Sequence, residues 1–456
     1  MLTSWETFWA TFRSDPTTPL YYVSLRIWTG VWGVTDNSVR TFSLASFAAT
    51  IAAVGVVVRH FHQARAGLLA AFLMAVSMGA IMAATARPYA LLGLIAALTA
   101  GLGWWLATAE EGDRRPPRRE VLAAQLTMVG LGAAGLLTHP IFIFLLAALT
   151  VASLLISWRA AWRLAFCAAL SLVIFLAIWG PMLMVTMGLP ARTWMATPRP
   201  RDLIESVMTV WGGNTAVVVA GCVGAAVWRP DSLKRFWQEP LGRAGLAAFG
   251  LTFLLAVTVG QFYPVFEKSR FPILVTPLAC WGLAWWADHW EGSWLRPIWL
   301  GALAASTVLI IFSQLQAPDP WPNRTSVQTV LNQITCGDQV VVGGMTVAPV
   351  TYYWHRLGAP ACVTVTVYPA EMRIHPGWLD KQGMLTNQGM ALAAEARELA
   401  ERLRQTGTDA VWVFYGTPEV TSLLTRELRQ LYPMYATYAL SGSYFNMVLR
   451  FGPRVP

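Results

Sequence analysis

Charged residues are scarce in this chain, and their scarcity sets its broad class. Asp, Glu, Lys and Arg make up 12% of the 456 residues, against roughly 25% in soluble domains. Hydrophobic residues reach 55%, and the mean hydropathy is +0.48. These values exclude an ordinary soluble enzyme. The 23 Trp and 12 Tyr residues are typical of the interfacial belts of membrane proteins, where an apolar ring lies in lipid and its N–H or O–H stays hydrated.

Several motifs of known chemistry are also absent. The sequence contains no Walker loop, no Gly-x-Ser-x-Gly and no His-Glu-x-x-His, which argues against ATP-driven transport, serine hydrolysis and zinc peptidase chemistry. No Cys and His residues have zinc-site spacing. Cys167, Cys222 and Cys280 lie in apolar segments, where cysteine usually packs as a small hydrophobic residue. A disulfide between Cys336 and Cys362 is left open, because the sequence does not fix their distance.

Long apolar segments dominate the first two thirds of the chain. A helix needs roughly 17 to 25 predominantly apolar residues to cross the hydrocarbon layer. Ten stretches meet this requirement, at residues 41–58, 66–83, 89–108, 121–138, 141–157, 164–187, 207–228, 244–261, 271–287 and 296–314. The chain is therefore predicted to be a multi-pass protein of the cell membrane.

The basic residues between these segments divide unequally between the two sides of the membrane. Thirteen fall in one set of alternate loops and six in the other, counted after residue 40. Loops rich in Lys and Arg stay in the cytoplasm, so the first set is predicted to be cytoplasmic and both termini to face outward. The first set is Arg59, Arg65, Arg114, Arg115, Arg118, Arg119, Arg159, Arg163, Arg229, Lys234, Arg235, Arg243 and Arg296, and the second is Arg87, Arg192, Arg199, Arg201, Lys268 and Arg270.

The net charge of +9 is spread over these short loops. It favours contact with anionic lipid head groups over nucleic acid. An exported N-terminus needs a signal, and residues 1–40 contain no basic stretch followed by an apolar one. We therefore expect a further membrane helix upstream of Met1; the alternative is that the short N-terminus crosses the membrane unaided.

The composition changes after the last apolar segment. Pro318, Pro320 and Pro322 interrupt any helix, and short β-like runs then alternate with amphipathic helices. The pattern predicts strands at 339–343, 362–367 and 409–415, helices at 327–334, 348–356, 389–405 and 418–431, and a closing hairpin of 435–441 with 444–451. This is a small α/β domain of Rossmann-like order. It has no Gly-x-Gly-x-x-Gly after its first strand, so a dinucleotide site is not expected.

Three regions follow from this pattern. Residues 1–40 are predicted to form an extracytoplasmic loop with a juxtamembrane helix, residues 41–315 a helical transmembrane domain, and residues 316–456 an extracytoplasmic α/β domain. Polar groups kept at membrane depth usually serve an ion, a proton or a head group, and a charge costs less at a helix end than at its centre. Arg87, His139 and the pair Lys268 and Arg270 all lie where predicted spans meet the outer face, and they indicate a polar site there.

The early part of the chain carries the first motifs of a resemblance. Asp15-Pro16-Thr17-Thr18-Pro19-Leu20-Tyr21-Tyr22, followed by Arg26-Ile27-Trp28, resembles the Asp-x-His-Pro-Pro-Leu-Tyr-Tyr stretch after the first helix of polytopic GT-C glycosyltransferases. The members concerned are of the protein O-mannosyltransferase and aminoarabinose transferase type. Val39-Arg40-Thr41-Phe42-Ser43 looks like their Leu-Arg-Leu-Pro-Ser entry to the next span.

Three later motifs continue the resemblance in the same order. Ala86-Arg87-Pro88-Tyr89-Ala90-Leu91 resembles the family's Glu-Ala-Arg-x-Tyr-Ala-Leu, Leu137-Thr138-His139 its Tyr-Thr-His, and Arg270-Phe271 its Arg-Tyr near the last spans. No single motif is specific, but five in order with an outward α/β tail favour the family. The resemblance extends from about residue 5 to the C-terminus.

The resemblance implies transfer of a sugar from a polyprenyl-phosphate donor to a glycan, lipid or protein acceptor on the outer face. It implies a catalytic role for Asp15 and substrate binding by Arg87, Tyr89, His139, Lys268 and Arg270. Guanidinium groups suit this task, because they bind phosphate oxygens in bidentate fashion. No cofactor is required with certainty, and a divalent metal ion is left open.

The sequence departs from the family pattern at several positions, which keeps other readings open. The family's Asp-Glu motif just after the first helix is not matched, since Glu6 stands in a different setting, Trp5-Glu6-Thr7. Thr85 stands in place of the glutamate before Ala86, and Thr17-Thr18 in place of a His-Pro pair. A non-catalytic subunit or scaffold is therefore an alternative. A lipid-linked substrate transporter would need an inverted repeat and broken helices at the midplane. Asp15 could also cap a turn, His139 bond a freed carbonyl, and the arginines act as interface anchors.

Overall fold

The computed structural model describes residues 4–14, 18–77, 87–109, 116–188, 197–263, 265–268, 270–290, 294–316, 323–373, 381–439 and 447–452. The chain forms two compact units. One consists chiefly of residues 16–188 and 195–315, and the other chiefly of residues 316–456.

The first unit is helical throughout the part that is described. Two short 3-10 turns, Gly212–Asn214 and Phe271–Leu274, precede the helices α10 and α13. In chain order the helices are α1 Trp5–Ser14, α2 Pro19–Trp32, α3 Asp36–Phe61, α4 Ala64–Ala75, α5 Tyr89–Thr108, α6 Arg118–Thr138, α7 Phe142–Ala152, α8 Trp158–Gly188, α9 Pro200–Thr209, α10 Thr215–Trp228, α11 Pro230–Gln238, α12 Pro240–Gly260, α13 Thr276–Asp288 and α14 Leu295–Gln316.

Among the described residues, six helices are long and apolar enough to span a membrane, namely α3, α5, α6, α8, α12 and α14. The pair α9 and α10 passes the same test together but bends by 97° between them, which brings the number to at most seven. The helices α4 and α7 are apolar but shorter, and α13 has only 13 residues. The multi-pass prediction is confirmed, while the number of ten spans stays a prediction.

Close backbone contact holds α3 against its neighbours. A Cβ atom on Gly67 of α4 would lie 2.6 Å from the carbonyl oxygen of Gly55, and one on Gly101 of α5 would lie 2.7 Å from Val57. Small residues of this kind let membrane helices pack by dispersion forces, because lipid offers no hydrophobic gain for their association. Within its most apolar window α5 is 72% buried, against 11% for α14. The helix that begins at Tyr89 is therefore central in the unit.

The second unit contains a five-stranded sheet. Its helices are α15 Asn323–Leu331, α16 Val347–Arg356, α17 Lys381–Gln405 and α18 Pro418–Leu431, and its strands are β1 Gln339–Gly343, β2 Thr364–Tyr368, β3 Val411–Tyr415, β4 Met434–Ala439 and β5 Met447–Phe451. The strand order is β2-β1-β3-β5-β4. Strands β2, β1 and β3 run parallel, and β5 pairs antiparallel with both β3 and β4.

The sheet carries a core on each face. Val341 and Val413 pack with residues of α17 and α18, whereas Val340, Val342 and Trp412 pack with residues of α15 and α16. This follows from the period of two along a strand, which sends alternate side chains to opposite faces. The small sheet predicted for the C-terminal region is confirmed. Its Rossmann-like character stays a prediction, because only three of the five strands are parallel.

Cys336 and Cys362 form a disulfide bond in the second unit, with their Cα atoms 5.2 Å apart. The bond joins the turn before β1 to the segment before β2, 26 residues later. We expect Cys362→Ser to destabilise this unit by about 2–4 kcal/mol, because the cross-link restricts the unfolded chain. Thermal unfolding of the purified protein with and without a reductant measures the effect. Two alkylatable thiols at these positions in protein prepared without reductant would contradict the pairing.

Candidate functional site

Several helix ends meet at one end of the helical unit. The Thr18 hydroxyl, just before α2, donates a 2.7 Å hydrogen bond to the carbonyl oxygen of Thr138 at the end of α6. Pro140 follows two residues later and contributes no backbone donor. Gly93 of α5 lies against Ile273 of the Phe271–Leu274 turn, where a Cβ would be 3.6 Å from Ile273 Cγ1. The starts of α2 and α5, the end of α6 and this turn are thus held together.

Arg270 lies at the edge of this cluster because the next residue anchors it. Phe271 is 1% exposed, and its ring packs against Phe144, Phe253 and Phe266 at centroid distances of 6.0, 5.5 and 5.4 Å. The preceding side chain is left half-buried at the surface, with 35% of Arg270 exposed. A buried aromatic residue therefore fixes the backbone that carries the cation.

The guanidinium of Arg270 has two neighbours that orient it. Its Cζ lies 5.9 Å from the centre of the Tyr89 ring, within the range of a cation–π contact. Its Nε lies 3.4 Å from Oε2 of Glu267. The Tyr89 ring in turn lies 6.3 Å from the ring of His139. Arg270, Tyr89 and His139 thus form one contiguous group.

Tyr21 of α2 adds a hydrogen-bonding group near these residues. Burial raises the pKa of Tyr21 to about 12, and the charge of Arg87 acts in the opposite direction. The Tyr21 hydroxyl therefore stays protonated at neutral pH, and it shares a 3.0 Å hydrogen bond with Ser43. Arg87 itself is exposed, two residues before Tyr89.

Lys268 belongs to a second, neighbouring group. Its ammonium lies 3.6 Å from Oδ1 of Asp202 and also bonds Glu205. The hydrogen bond with Glu205 is the main cause that raises the pKa of Lys268. Two carboxylates therefore offset the charge of Lys268, and Glu267 is a carboxylate neighbour of Arg270.

Comparisons with known proteins were made by sequence and by structure. No protein-family model and no curated protein sequence matches the chain. The structure is similar to that of ArnT from Cupriavidus metallidurans bound to undecaprenyl phosphate, with a TM-score of 0.61, 10% identity, and coverage of 95% of this chain and 88% of that one. The apo form of ArnT gives a TM-score of 0.59 at 9% identity, with coverage of 95% of this chain and 87% of that one. The chain has the fold of ArnT, the GT-C fold that the resemblance implied.

A further GT-C structure is similar over nearly the whole of this chain. The oligosaccharyltransferase AglB from Archaeoglobus fulgidus, in complex with an inhibitory peptide and a dolichol-phosphate, gives a TM-score of 0.50 at 11% identity. The match covers 94% of this chain and 66% of AglB. The resemblance drawn from five short motifs is thereby confirmed at the level of the fold.

The GT-C structure brings together some of the residues that the sequence singled out. Tyr89, His139 and Arg270 are in one group, and Arg87 lies two residues from Tyr89. Lys268 precedes Arg270 by two residues, but its ammonium pairs with Asp202 of α9. Asp15 lies outside the described residues, so its catalytic role stays a prediction. The role of each binding residue likewise stays a prediction.

Sequence reasoning missed three carboxylates near these residues. Glu267 pairs with Arg270, and Asp202 and Glu205 pair with Lys268. A signal was available, because Glu267 precedes Arg270 by three residues and Asp202 precedes Glu205 by three, the spacing at which side chains of one turn meet. Within the described part of the chain, no three His, Cys, Asp or Glu side chains group as a metal site.

Proposed function

We propose that the chain transfers a sugar from a polyprenyl-phosphate donor to a glycan, lipid or protein acceptor at the outer face of the membrane. The contact of Arg270 with Tyr89, beside His139, is the observation that carries this proposal. This contact fixes a cation of the GT-C fold at the predicted membrane–water interface. ArnT, which shares the fold, was solved with undecaprenyl phosphate, and AglB with a dolichol-phosphate; both support this donor class.

The donor chemistry follows from the charges in the group. A polyprenyl tail stays in the bilayer, so the phosphate lies at the interface. Arg270 and Arg87 are the cations offered to it, and Glu267 and Tyr89 limit the orientations of Arg270. Arginine matches phosphate oxygens with two parallel N–H donors.

Catalysis follows from the change of charge during the reaction. The bond between the sugar and the phosphate breaks as the acceptor oxygen attacks the anomeric carbon, and negative charge grows on the departing phosphate. Fixed cations stabilise this charge more than they stabilise the bound donor, which is what accelerates a reaction. The acceptor hydroxyl must lose its proton to a base, and we assign this role to Asp15.

A transfer assay tests the proposal directly. The chain is purified in lipid and incubated with a polyprenyl-phosphate-linked pool of labelled sugars and a membrane extract as acceptor. We expect labelled product, and we expect its rate of formation to fall with Arg270→Ala. Donor binding without any transfer would instead support the non-catalytic subunit.

We also propose that the spans place the second unit outside the cytoplasm. Ten crossings would put residues 316–456 on the side opposite to the thirteen basic residues. The disulfide between Cys336 and Cys362 supports this side, because such bonds persist in oxidising compartments.

Reporter fusions measure this topology. An enzyme active only outside the cytoplasm is expected to be active when fused after Pro456 and silent when fused near Arg115, because the basic loops remain in the cytoplasm. As the control, an enzyme that is active only in the cytoplasm is fused in frame at each of the same two sites. The reverse pattern would place Arg87 and Arg270 on the wrong face for the proposed donor.

A further inference from the structure

An apolar cavity of about 370 Å³ lies in the helical unit, away from the group around Arg270. It is bounded by α10, α12 and α13, and α11 contributes Leu233 and Phe236 to it. Arg270 precedes the start of α13, whose lining residues run from Leu278 near that start to Trp285 and Trp286 near its end. His62, directly after α3, lies at the same end.

This end of the unit is the one with the predicted cytoplasmic loops. Arg65 and Arg296, both from the set of thirteen, each lie 3.7 Å from Oδ1 of Asp288, the last residue of α13. The part of the cavity wall formed by α11 and the end of α13 therefore lies at the end with the predicted cytoplasmic loops, and Arg270 precedes the opposite end of α13.

Two of the indole N–H groups at the cavity wall are hydrogen-bonded. The indole N–H of Trp281 donates to Nε2 of His62 at 3.0 Å, and that of Trp286 donates to the hydroxyl of Ser232 at 2.9 Å. The His62 ring also stacks on Trp285 at 5.5 Å. Because these donors are already satisfied, an apolar occupant loses nothing by leaving them alone.

Two glycines create the space. Gly245 of α12 and Gly282 of α13 line the cavity, and a Cβ atom on either would meet no atom within 4 Å. At about 30 Å³ per water-sized group, the volume holds about a dozen methylene-sized groups. That is one acyl chain, and it is too little for two.

The helix beside the cavity is built for the membrane surface. Between the cavity-lining Leu233 and Phe236, the side chains of Lys234 and Arg235 are exposed, and Trp237 is 51% exposed. Such a helix lies along the interface with its apolar face buried. Residues 229–243 carry four basic and two acidic side chains, and one of the acids, Asp231, lies 3.3 Å from Nζ of Lys234. The remaining net positive charge of the rim attracts a negative head group.

We propose that this cavity binds one acyl chain of an anionic phospholipid of the inner leaflet, with the head group at Lys234 and Arg235. The site is separate from the donor site, and its occupant is a lipid that the reaction does not consume. Through this bound lipid, the packing of α11 and of the ends of α12 and α13 depends on the lipid composition of the membrane.

Filling the cavity tests the proposal. The full chain is purified in detergent, and bound lipid is counted by native mass spectrometry during titration with phosphatidylglycerol. We expect Gly282→Leu and Gly245→Leu to weaken binding by about tenfold or more, since the new side chain displaces several buried methylenes. Gly250→Leu is the matched control, because Gly250 is also open on α12 but does not line the cavity.

The head group is tested separately. Lys234→Gln with Arg235→Gln should remove the preference for phosphatidylglycerol over phosphatidylcholine while leaving the chain bound. If Gly282→Leu is as thermally stable as Gly250→Leu and binds phosphatidylglycerol as tightly as the wild type does, the cavity is not the site. Equal affinity of the wild type for the two phospholipids would overturn the anionic specificity. Displacement of phosphatidylglycerol by polyprenyl phosphate would assign the cavity to the donor tail instead.

Discussion

Asp15→Asn is expected to slow sugar transfer by roughly a hundred- to ten-thousand-fold, the usual contribution of a positioned acid or base. An acceptor hydroxyl has a pKa far above neutral, so it needs a carboxylate to take its proton as it attacks. The asparagine keeps the size of the side chain and removes the base. Initial rates with labelled donor measure the loss, and donor affinity should stay unchanged.

Glu267→Gln is the informative comparison for this variant. Oε2 of Glu267 lies 3.4 Å from Nε of Arg270. Glu267 is therefore the natural rival of Asp15 for the role of base. If Asp15 is the base, Glu267→Gln should lower donor affinity through Arg270 and keep most of the turnover with saturating donor. A large loss of turnover in Glu267→Gln with none in Asp15→Asn would show that the base is Glu267.

Arg270→Ala is expected to weaken binding of a polyprenyl-phosphate donor by about 1.5–3 kcal/mol, the range for hydrogen bonds to charged groups. Arg270→Lys should recover only part of this, because an ammonium cannot reproduce the two parallel donors of a guanidinium. Binding of a fluorescent polyprenyl phosphate to the protein in lipid nanodiscs measures both variants.

Two further variants define the specificity of that effect. Lys268→Ala should weaken donor binding less than Arg270→Ala does, since Asp202 and Glu205 already offset the charge of Lys268. Arg402→Ala is the neutral control, because Arg402 is exposed in the second unit and pairs with Glu398. Unchanged donor affinity in folded Arg270→Ala would remove Arg270 from the phosphate site.

The sequence by itself determined the local structure well where the pattern is short and regular. The predicted strand at 339–343 and helix at 418–431 coincide with β1 and α18, because alternating and helical periodicities depend only on neighbouring residues. The apolar segments likewise predicted the long helices. They could not predict that α4 ends at Ala75, because hydropathy does not fix where a helix ends.

Only the tertiary structure decided which distant residues meet. Tyr89, His139 and Arg270 belong to three separate span ends, and their contacts depend on how α5, α6 and the Phe271–Leu274 turn pack. The same holds for the carboxylates of α9 that pair with Lys268. The packing depends on glycines such as Gly67 and Gly101, which a hydropathy pattern does not distinguish from other apolar residues. Since lipid and protein interior are equally apolar, the pattern says that a segment is in the membrane but not which neighbour it contacts.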